Sequence, residues 1–509
     1  MNRISTKIKV SRWLAGLLFF LPVLSLPFIF SQYNIYWDDL LKFRWLELSL
    51  ISTGSVTFFT IILGLFLGWV LGHEDRASAK WLTILSLLPL TIPGWFQGMI
   101  WSRIFDLSSF ALSPLFQYFW VQVIDLTPWS FMLFYSYFRF QPRFEEEFLC
   151  SLGISKKWRL IKIQLPRLLV PILSSVIIIG LQVWSDYSVA AWLGLRTLSV
   201  AVQDLWLSFD RPAAALAPAI VLLVGVILLL LSCSLWLSRW PRNHNPNIMY
   251  GSKRNISDIQ SSSNFWLLGL CFFYPLISYV IPIGTLVFWW IDHPQAGVQP
   301  LVLWPQIYML LLQGFGTVIG VGCLVYWGHR FINHRGFPSF LQVMAIVSFG
   351  VPAVMVGISV LYWSLNGIFG LELLFNPVYS ILPLIWALMV RYAVFPVFFV
   401  TNGQKRLSRG YERMASVYGL NRWDLWTRFQ GPLVFPFLFV GLLLTFLGAI
   451  QDLDLVLMLQ PYGYDTLTLN LYQMASLDLL PATALRGGIF VLFSLYPVLT
   501  IGRWLTREL

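Results

Sequence analysis

The sequence predicts an all-α integral membrane protein with about twelve transmembrane helices in two tandem six-helix halves. Of the 509 residues, 58% are hydrophobic and only 11% are charged, which leaves too little polar surface for a soluble protein of this length. Apolar runs of about 18 residues or more, long enough to cross a bilayer as helices, recur along the whole chain. A transmembrane β-barrel would instead require alternating strands of about ten residues.

The predicted spans follow one another at short intervals. They lie near residues 13–30, 47–72, 81–104, 114–137, 167–184, 213–238, 264–290, 305–327, 340–363, 375–400, 433–451 and 482–502. Four basic residues precede the first span and no small-residue cleavage pattern follows it, so we expect a retained helix rather than a signal peptide.

Basic residues predict the orientation of these spans. The net charge is +11, and most of the 34 Lys and Arg residues fall in cytoplasmic segments if both termini are cytoplasmic. The positive-inside rule requires this arrangement. The charge therefore indicates membrane topology, and we expect a lipid bilayer but no nucleic acid among the partners.

Two polar stretches, one in each half, form an internal repeat. The first polar loop (145–166) reads EEEFLCSLGISKKWRLIKIQLP, and the second polar loop (412–432) reads ERMASVYGLNRWDLWTRFQGP. One register aligns several of their residues, namely Glu146 with Glu412, Gly153 with Gly419, Gln164 with Gln430 and Pro166 with Pro432. The same register aligns Asp186 with Asp452, thirty-three residues after each glycine.

The repeat predicts the domain organisation. Each polar loop follows an even number of spans, so both halves should have the same orientation and a pseudo-twofold axis along the membrane normal. The predicted halves are 1–240 and 264–509, with core transmembrane domains at about 47–238 and 305–503. Residues 241–263 are rich in Asn, Ser, Gly and Pro, which is typical of a flexible linker, here on the cytoplasmic side.

Each polar loop predicts a rigid turn joined to a membrane helix. Glycine readily adopts the positive φ that ends a helix, so we expect a short helix up to Leu152, a break at Gly153 and a second short helix at 156–164. Pro166 would then begin the next span. Such a turn could pass movement of a soluble partner into the membrane; an ordinary basic loop is the alternative interpretation.

The two loops resemble the "EAA" loop of binding-protein-dependent ABC importer permeases. The residues at that spacing are Glu147, Gly153, Ile163, Leu165 and Pro166 in the first loop and Glu412, Ala415, Gly419 and Pro432 in the second. The second loop departs from the pattern at Arg413 and Gly431, so the two contacts need not be equivalent.

This resemblance implies the fold, the partners and the location of the protein. In that family the loop docks into a cleft on a cytoplasmic ATPase. The resemblance therefore implies the type I ABC importer permease fold, two copies of an ABC ATPase, an extracytoplasmic solute-binding protein and the bacterial plasma (inner) membrane. The stretches SDYSVAAWLG, DRPAAALAPAI and LMLQPYGYDTLTLNLYQMAS are similar to ferric-iron permeases. Related permeases share parts of them, so thiamine, phosphonate, sulfate and polyamine are alternative cargoes.

Missing motifs limit the chemistry of the chain itself. No Gly-Lys dipeptide occurs, so the phosphate-binding P-loop is absent and ATP and Mg²⁺ are expected on the partner ATPase. We therefore predict a transport subunit that is not an enzyme. The five histidines are dispersed without metal-ligand spacing, so no metal ligands are predicted.

A few charged residues near the spans remain open to two interpretations. Asp186 and Asp452 are candidate pathway or gate residues, although solvation or a role at a helix end would explain them equally well. Arg391 either extends to the cytoplasmic face or pairs internally. An ion-coupled secondary transporter is the competing function, although it would have no reason to keep two matched loops, and the clustered polar residues of a membrane enzyme are not found.

Overall fold

The computed structural model describes most of the chain as helices joined by short connections. The described residues are 16–32, 44–74, 76–107, 112–139, 151–153, 155–209, 211–239, 265–292, 300–330, 337–366, 376, 378–405 and 431–507. These residues include no strand, and the all-helical membrane fold predicted from the sequence is confirmed.

The first sequence half contains helices α1 to α11. They are α1 (Leu21–Leu24), α2 (Leu26–Ser31), α3 (Arg44–His73), α4 (Ala77–Leu85), α5 (Gly94–Leu107), α6 (Pro114–Arg139), α7 (Lys156–Arg159), α8 (Leu165–Ser185), α9 (Ser188–Trp192), α10 (Leu198–Gln203) and α11 (Pro212–Arg239). A 3-10 turn at Leu88–Thr91 and π-helical turns at Leu160–Gln164 and Asp204–Ser208 lie between them.

The second sequence half contains helices α12 to α22. They are α12 (Phe265–Pro275), α13 (Ile281–Asp292), α14 (Pro300–Arg330), α15 (Phe337–Gly350), α16 (Ala353–Leu365), α17 (Leu382–Tyr392), α18 (Val394–Lys405), α19 (Gly431–Gln451), α20 (Leu453–Leu459), α21 (Leu467–Ser476) and α22 (Leu480–Arg507). A π-helical turn at Leu276–Val280 joins α12 to α13.

Most of the predicted spans correspond to helices that are long enough to cross a membrane. Within the described ranges, eight helices are long and apolar enough to cross a membrane, or up to ten if each of two bent pairs is one span. The eight are Arg44–His73, Leu165–Ser185, Pro212–Trp236, Trp266–Asp292, Leu301–Tyr326, Leu382–Gln404, Gly431–Gln451 and Leu480–Thr506. The fourth predicted span coincides with α6, and the first with the short apolar helices α1 and α2.

The third and ninth predicted spans are bent pairs instead of single helices. The two parts of 77–107 meet at 91°, and those of 340–365 meet at 106°. Pro93 and Pro352 lie at the breaks. Proline has no N–H to donate, and it disfavours a helical conformation in the residue before it. Ile92 is accordingly extended, with φ −111° and ψ 113°. The structure thus corrects the single helices expected at 81–104 and 340–363.

The chain forms two compact units, each assembled from three stretches of sequence. Unit 1 comprises Met1–Lys42, Ala201–Leu222 and Trp289–Phe490, and unit 2 comprises Phe43–Val200, Leu223–Phe288 and Val491–Leu509. The units divide the chain differently from the predicted halves 1–240 and 264–509, which describe the sequence repeat.

Unit 2 is built on close packing of α3 against α6. Gly64, Gly68 and Gly72 lie four residues apart on one face of α3, a spacing that lets membrane helices approach closely. A Cβ atom at any of them would come within 3.0 Å of α6. The helix α8 packs against both α3 and α6. The first helix of the second half, α12, also belongs to this unit and packs against α3 and α4.

Unit 1 likewise includes helices from the other half of the sequence, namely α1 and α2 near the N-terminus. The helices α1 and α2 pack against α16, where the indole of Trp363 donates to Ser25 Oγ at 2.8 Å. The indole of Trp386 in α17 donates to the carbonyl of Phe19 at 3.1 Å. Around them, α14 packs against α17 and α19, and α18 packs against α19. The first helix of each sequence half therefore packs in a unit formed mainly by the other half.

Candidate functional site

The described part of the first polar loop contains the predicted turn. Gly153 has φ +68° and is exposed, and a Cβ there would meet nothing within 4 Å. Backbone conformation, and not crowding, therefore favours glycine at this position. After the turn, α7 and the π-helical turn lead directly into α8, because Gln164 is itself helical with φ −73° and ψ −48°. Leu165 and Pro166 are the first two residues of α8.

The segment after this turn exposes apolar side chains. Trp158, Ile161 and Leu165 lie three and four residues apart and are 60%, 47% and 46% exposed. Leu152, just before the turn, is exposed as well. The ammonium group of Lys162 lies 5.3 Å from the centre of the Trp158 ring. This spacing places an apolar strip with a basic edge on one side of the segment.

Several predicted residues of the polar loops lie outside the described part of the chain. These are Glu146 and Glu147 of the first loop, Glu412, Ala415 and Gly419 of the second, and the side chain of Ile163. Pro432 is described and is the second residue of α19, just as Pro166 is the second residue of α8. The two prolines therefore occupy equivalent places at the start of a membrane helix.

The helices that flank the second polar loop, α18 and α19, pack closely in unit 1. A Cβ at Gly441 would lie 2.6 Å from the Cα atom of Pro396, and one at Gly448 would overlap the ring of Tyr392. Pro396 also leaves the carbonyl of Tyr392 without its helical donor. The hydroxyl of Thr445 in α19 lies 3.2 Å from that carbonyl and donates to it.

Asp452 follows α19 and connects it to two other elements. Its backbone is extended, with φ −70° and ψ 104°, and its Oδ1 accepts from the N–H of Leu455 at 2.9 Å, so Asp452 is the N-cap of α20. Its Oδ2 accepts from the Tyr392 hydroxyl at 2.9 Å and lies 3.4 Å from Nε of Arg391. Both side chains of the ion pair are buried. Of the two interpretations open for Arg391, internal pairing is the one observed.

Asp186 occupies the corresponding place in unit 2. It follows α8 with φ −67° and ψ 125°, and its carboxylate accepts from the N–H groups of Val189 and Ala190 at 3.5 and 3.1 Å. Its own carbonyl accepts from the hydroxyl of Ser199. Asp186 and Asp452 therefore each end a membrane helix and accept from N–H groups in the first turn of the short helix that follows. Their predicted role in a pathway or gate remains a prediction.

A second carboxylate, Asp125 of α6, interacts with Asp186. Asp125 approaches the first residue of α5, because a Cβ at Gly94 would lie 2.7 Å from its Oδ2. Tyr118 and Gln122, one turn apart on α6, lie near the carboxylate of Asp186. The two carboxyl groups thus lie close to the N-termini of α5 and α9.

The sequence register contained a signal that the sequence analysis missed. Asp125 and Arg391 lie twenty-eight residues before Gly153 and Gly419, so they are equivalent positions of the repeat. Unit 2 therefore has two carboxylates where unit 1 has an ion pair. In the described structure Thr197 and Thr466, which the repeat also aligns, accept from the N–H groups three residues further on.

Comparison with known proteins decides the family. The model of the family described as "Binding-protein-dependent transport system inner membrane component" matches residues 61–240 and 316–509. Together these ranges cover well over half of the chain. The protein belongs to this family. The two matches are tandem copies, and each contains one polar loop and one of the aligned aspartates, Asp186 or Asp452.

One curated relative of this permease is similar over most of both chains. It is the "Fe(3+)-transport system permease protein FbpB 2" of Haemophilus influenzae, 22% identical over 465 residues, which are 88% of this chain and 87% of the relative. The permease is thus a multi-pass component of an inner-membrane transport system that depends on a binding protein. Family membership favours the permease over the ion-coupled transporter and the membrane enzyme.

Arg486 is a further residue that the sequence analysis did not select. The stretches PAAALAPAI at 212–220 and PATALRGGI at 481–489 are a second repeat, in which Arg486 aligns with Ala217. Arg486 is only 2% exposed, and its described hydrogen bond is to the carbonyl of Ala482 in its own helix, at 3.4 Å. Burial of a cation is costly, so the exchange of alanine for arginine is a marked difference between the halves. Among the described residues, no group of three or more His, Cys, Asp or Glu could hold a metal ion.

Proposed function

We propose that this permease moves ferric iron into the cytoplasm after an extracytoplasmic binding protein delivers it. Its similarity to the Haemophilus influenzae protein over 88% of the chain carries this proposal, since that relative is named as an Fe(3+)-transport permease. Iron is the cargo in this proposal and has no resident site on the chain. Recognition of iron would take place mainly on the binding protein.

The energy would come from ATP hydrolysis on separate chains. Two copies of a cytoplasmic ABC ATPase would hold ATP and Mg²⁺, and each would receive one polar loop. The exposed strip of Trp158, Ile161 and Leu165 supports this role, because an apolar strip beside a rigid turn can enter a cleft on a partner protein. Gly153 would orient the strip, and Glu146, Glu147 and Ile163 would complete the contact. Glu412, Ala415, Gly419 and Pro432 would do the same in the second loop.

The orientation of the chain in the membrane is part of the same proposal. Both termini, the 241–263 linker and both polar loops would be cytoplasmic, because the excess of Lys and Arg lies there. Asp186 and Asp452 would then lie at the outer ends of α8 and α19, on the side where cargo enters. The short helices that follow them are the candidates for a gate, since they join a membrane helix to the outer connections.

Reconstitution tests the proposal directly. Full-length permease, its ATPase and its binding protein would be placed in proteoliposomes, with Mg²⁺ and ATP on the cytoplasmic side. Ferric iron loaded on the binding protein should accumulate with ATP and should not accumulate with a non-hydrolysable analogue. Uptake of thiamine, phosphonate, sulfate or a polyamine in place of iron would overturn the cargo assignment. Uptake that ignores ATP and follows an ion gradient would overturn the ABC mechanism.

A further inference from the structure

We infer that Arg391 is a positioning residue that couples the second polar loop to α20 through its ion pair with Asp452. The inference rests on the proposed function, because it concerns how movement of that loop, driven by the ATPase, passes along the permease. Arg391 acts on the helix that Asp452 caps, and not on the cargo.

The ion pair lies beside the ends of α18 and α19 that are far from the second polar loop, because Arg391 in α17 comes just before α18 and Asp452 directly follows α19. The helix α18 ends at Lys405 and α19 begins at Gly431, on either side of it. The helix α19 has 21 residues, so it spans roughly 30 Å at about 1.5 Å per residue. Movement of the loop must therefore cross a distance similar to the hydrocarbon thickness before it reaches Asp452.

The packing of α17, α18 and α19 allows them to carry that movement as one body. Gly441 and Gly448 bring α19 against Pro396 and the ring of Tyr392 with no side chain of their own between the helices. The Thr445 hydroxyl bonds the carbonyl that Pro396 leaves free. Close-packed helices of this kind transmit strain because their interface has little free space.

Asp452 uses its two oxygens for two different elements. One oxygen, Oδ1, caps α20 by accepting from the N–H of Leu455. The other, Oδ2, contacts Arg391 and Tyr392, which are both in α17. Asp452 thus ties α17 to the start of α20. The tie extends past α20, since the N–H of Tyr462 donates to the carbonyl of Val378 at 3.1 Å.

Burial makes the ion pair between Arg391 and Asp452 difficult to break. The repeat shows that this ion pair occurs in one half of the chain, since Asp125 stands at the position equivalent to Arg391. The side chains of Arg391 and Asp452 are 11% and 3% exposed, so separating them would leave a buried charge without compensation. At the equivalent position of unit 2, Asp125 brings a carboxyl group to Asp186 where unit 1 has a guanidinium. Two carboxyl groups cannot form an ion pair with each other. The second half therefore transmits loop movement more rigidly than the first.

The test measures movement beyond α20 without using any cargo. The probe is Tyr462→Cys, at a position where the native side chain is 90% exposed, in a full-length permease whose four native cysteines are replaced by serine. This protein is assembled with the ATPase, and maleimide labelling of the probe is timed with and without ATP and vanadate. We expect nucleotide to change the labelling rate roughly tenfold with Arg391 present, and less than about twofold in Arg391→Met.

Two further variants separate positioning from folding. Arg391→Lys should restore most of the nucleotide-dependent change, because it restores the charge. Asp452→Asn should behave like Arg391→Met, although asparagine still caps α20, since Asn and Asp are comparable N-caps. Basal ATP hydrolysis should stay at the level of the unaltered complex in all three variants.

Three results would overturn the inference. The first is a full nucleotide-dependent change in Arg391→Met, and the second is no change in labelling of the Tyr462→Cys probe even with Arg391 present. The third is loss of assembly in both Arg391→Met and Asp452→Asn, which would make the pair a folding contact. Failure of the proposed function would appear elsewhere, as absence of ATP-dependent iron uptake by the unaltered permease.

Discussion

Replacing Tyr274 with phenylalanine should destabilise unit 2 by about 1–2 kcal/mol. Pro128 lies inside α6 and has no N–H to donate to the carbonyl of Ile124. The hydroxyl of Tyr274 in α12 donates to that carbonyl at 2.9 Å. Phenylalanine keeps the ring and its packing, so the substitution removes the donor alone.

The size of the effect follows from the position of the carbonyl. Hydrogen bonds between membrane helices contribute about 0.6 kcal/mol on average and about 1.7 at most. A buried carbonyl without any partner costs about 1–3 kcal/mol. Pro128 removes the donor that would otherwise come from the same helix, so we expect a value near the upper end of the membrane range.

A double-mutant cycle tests this reasoning. Pro128→Ala supplies an N–H that can reach the Ile124 carbonyl, so Tyr274→Phe should cost less in that background, with a coupling energy of roughly 1 kcal/mol. Tyr496→Phe is the matched control, because Tyr496 also belongs to unit 2 and its side chain is 67% exposed.

Thermal unfolding of the purified permease in detergent provides the measurement. A thiol-reactive dye reports unfolding through Cys271, which is fully buried in α12, once the other three cysteines are replaced by serine. Tyr274→Phe should lower the transition by about 2–4 °C for each kcal/mol, as for a domain of this size. A transition equal to that of Tyr496→Phe would refute the reasoning, and so would strictly additive effects of Pro128→Ala and Tyr274→Phe.

Three other predictions follow from the polar loops and their helices. Gly153→Val should lower stimulation of ATP hydrolysis by loaded binding protein, because a β-branched residue strongly disfavours φ near +68°. Unchanged stimulation would show that the loop serves only membrane topology. Gly441→Leu should separate α18 from α19 and reduce the yield of folded permease. Gly54→Leu is the control and should keep the yield, because a Cβ at that position meets nothing within 4 Å. Equal yields of the two variants would contradict the packing of α18 against α19. Cysteine probes placed at Lys156 and Arg422 should resist labelling from outside, and a probe in 291–300 should react, whereas the reverse pattern would invert the topology.

The polar loops show how far local sequence predicts structure. The turn at Gly153 was predicted and is observed, because a positive φ is a property of the residue itself and needs no neighbours. The breaks at Pro93 and Pro352 were not predicted, although both prolines are visible in the sequence. Proline inside a helix can either kink it or end it, and the surrounding helices determine which occurs.

The partners of residues at the ends of the membrane helices were harder to predict than the turn at Gly153, because tertiary contacts determine them. The repeat aligned Asp186 with Asp452, but it did not show that both carboxylates accept from the first turn of the next helix. The same register aligns Asp125 with Arg391, yet only the folded chain shows that Arg391 meets Asp452. The spacing Gly64, Gly68 and Gly72 indicates close helix packing, but it does not name α6 as the partner.

The membrane class, the helical composition, the tandem repeat and the family of this permease can all be inferred from its sequence. These properties depend on hydrophobicity, charge placement and the conformations of single residues, all of which are local. The folded chain was needed to show which helices pack with the other half, which carbonyl accepts from the hydroxyl of Tyr274 and which carboxylate pairs with Arg391. Those partners are distant in sequence, and buried polar groups must find them wherever the packing of the helices places a donor or an acceptor.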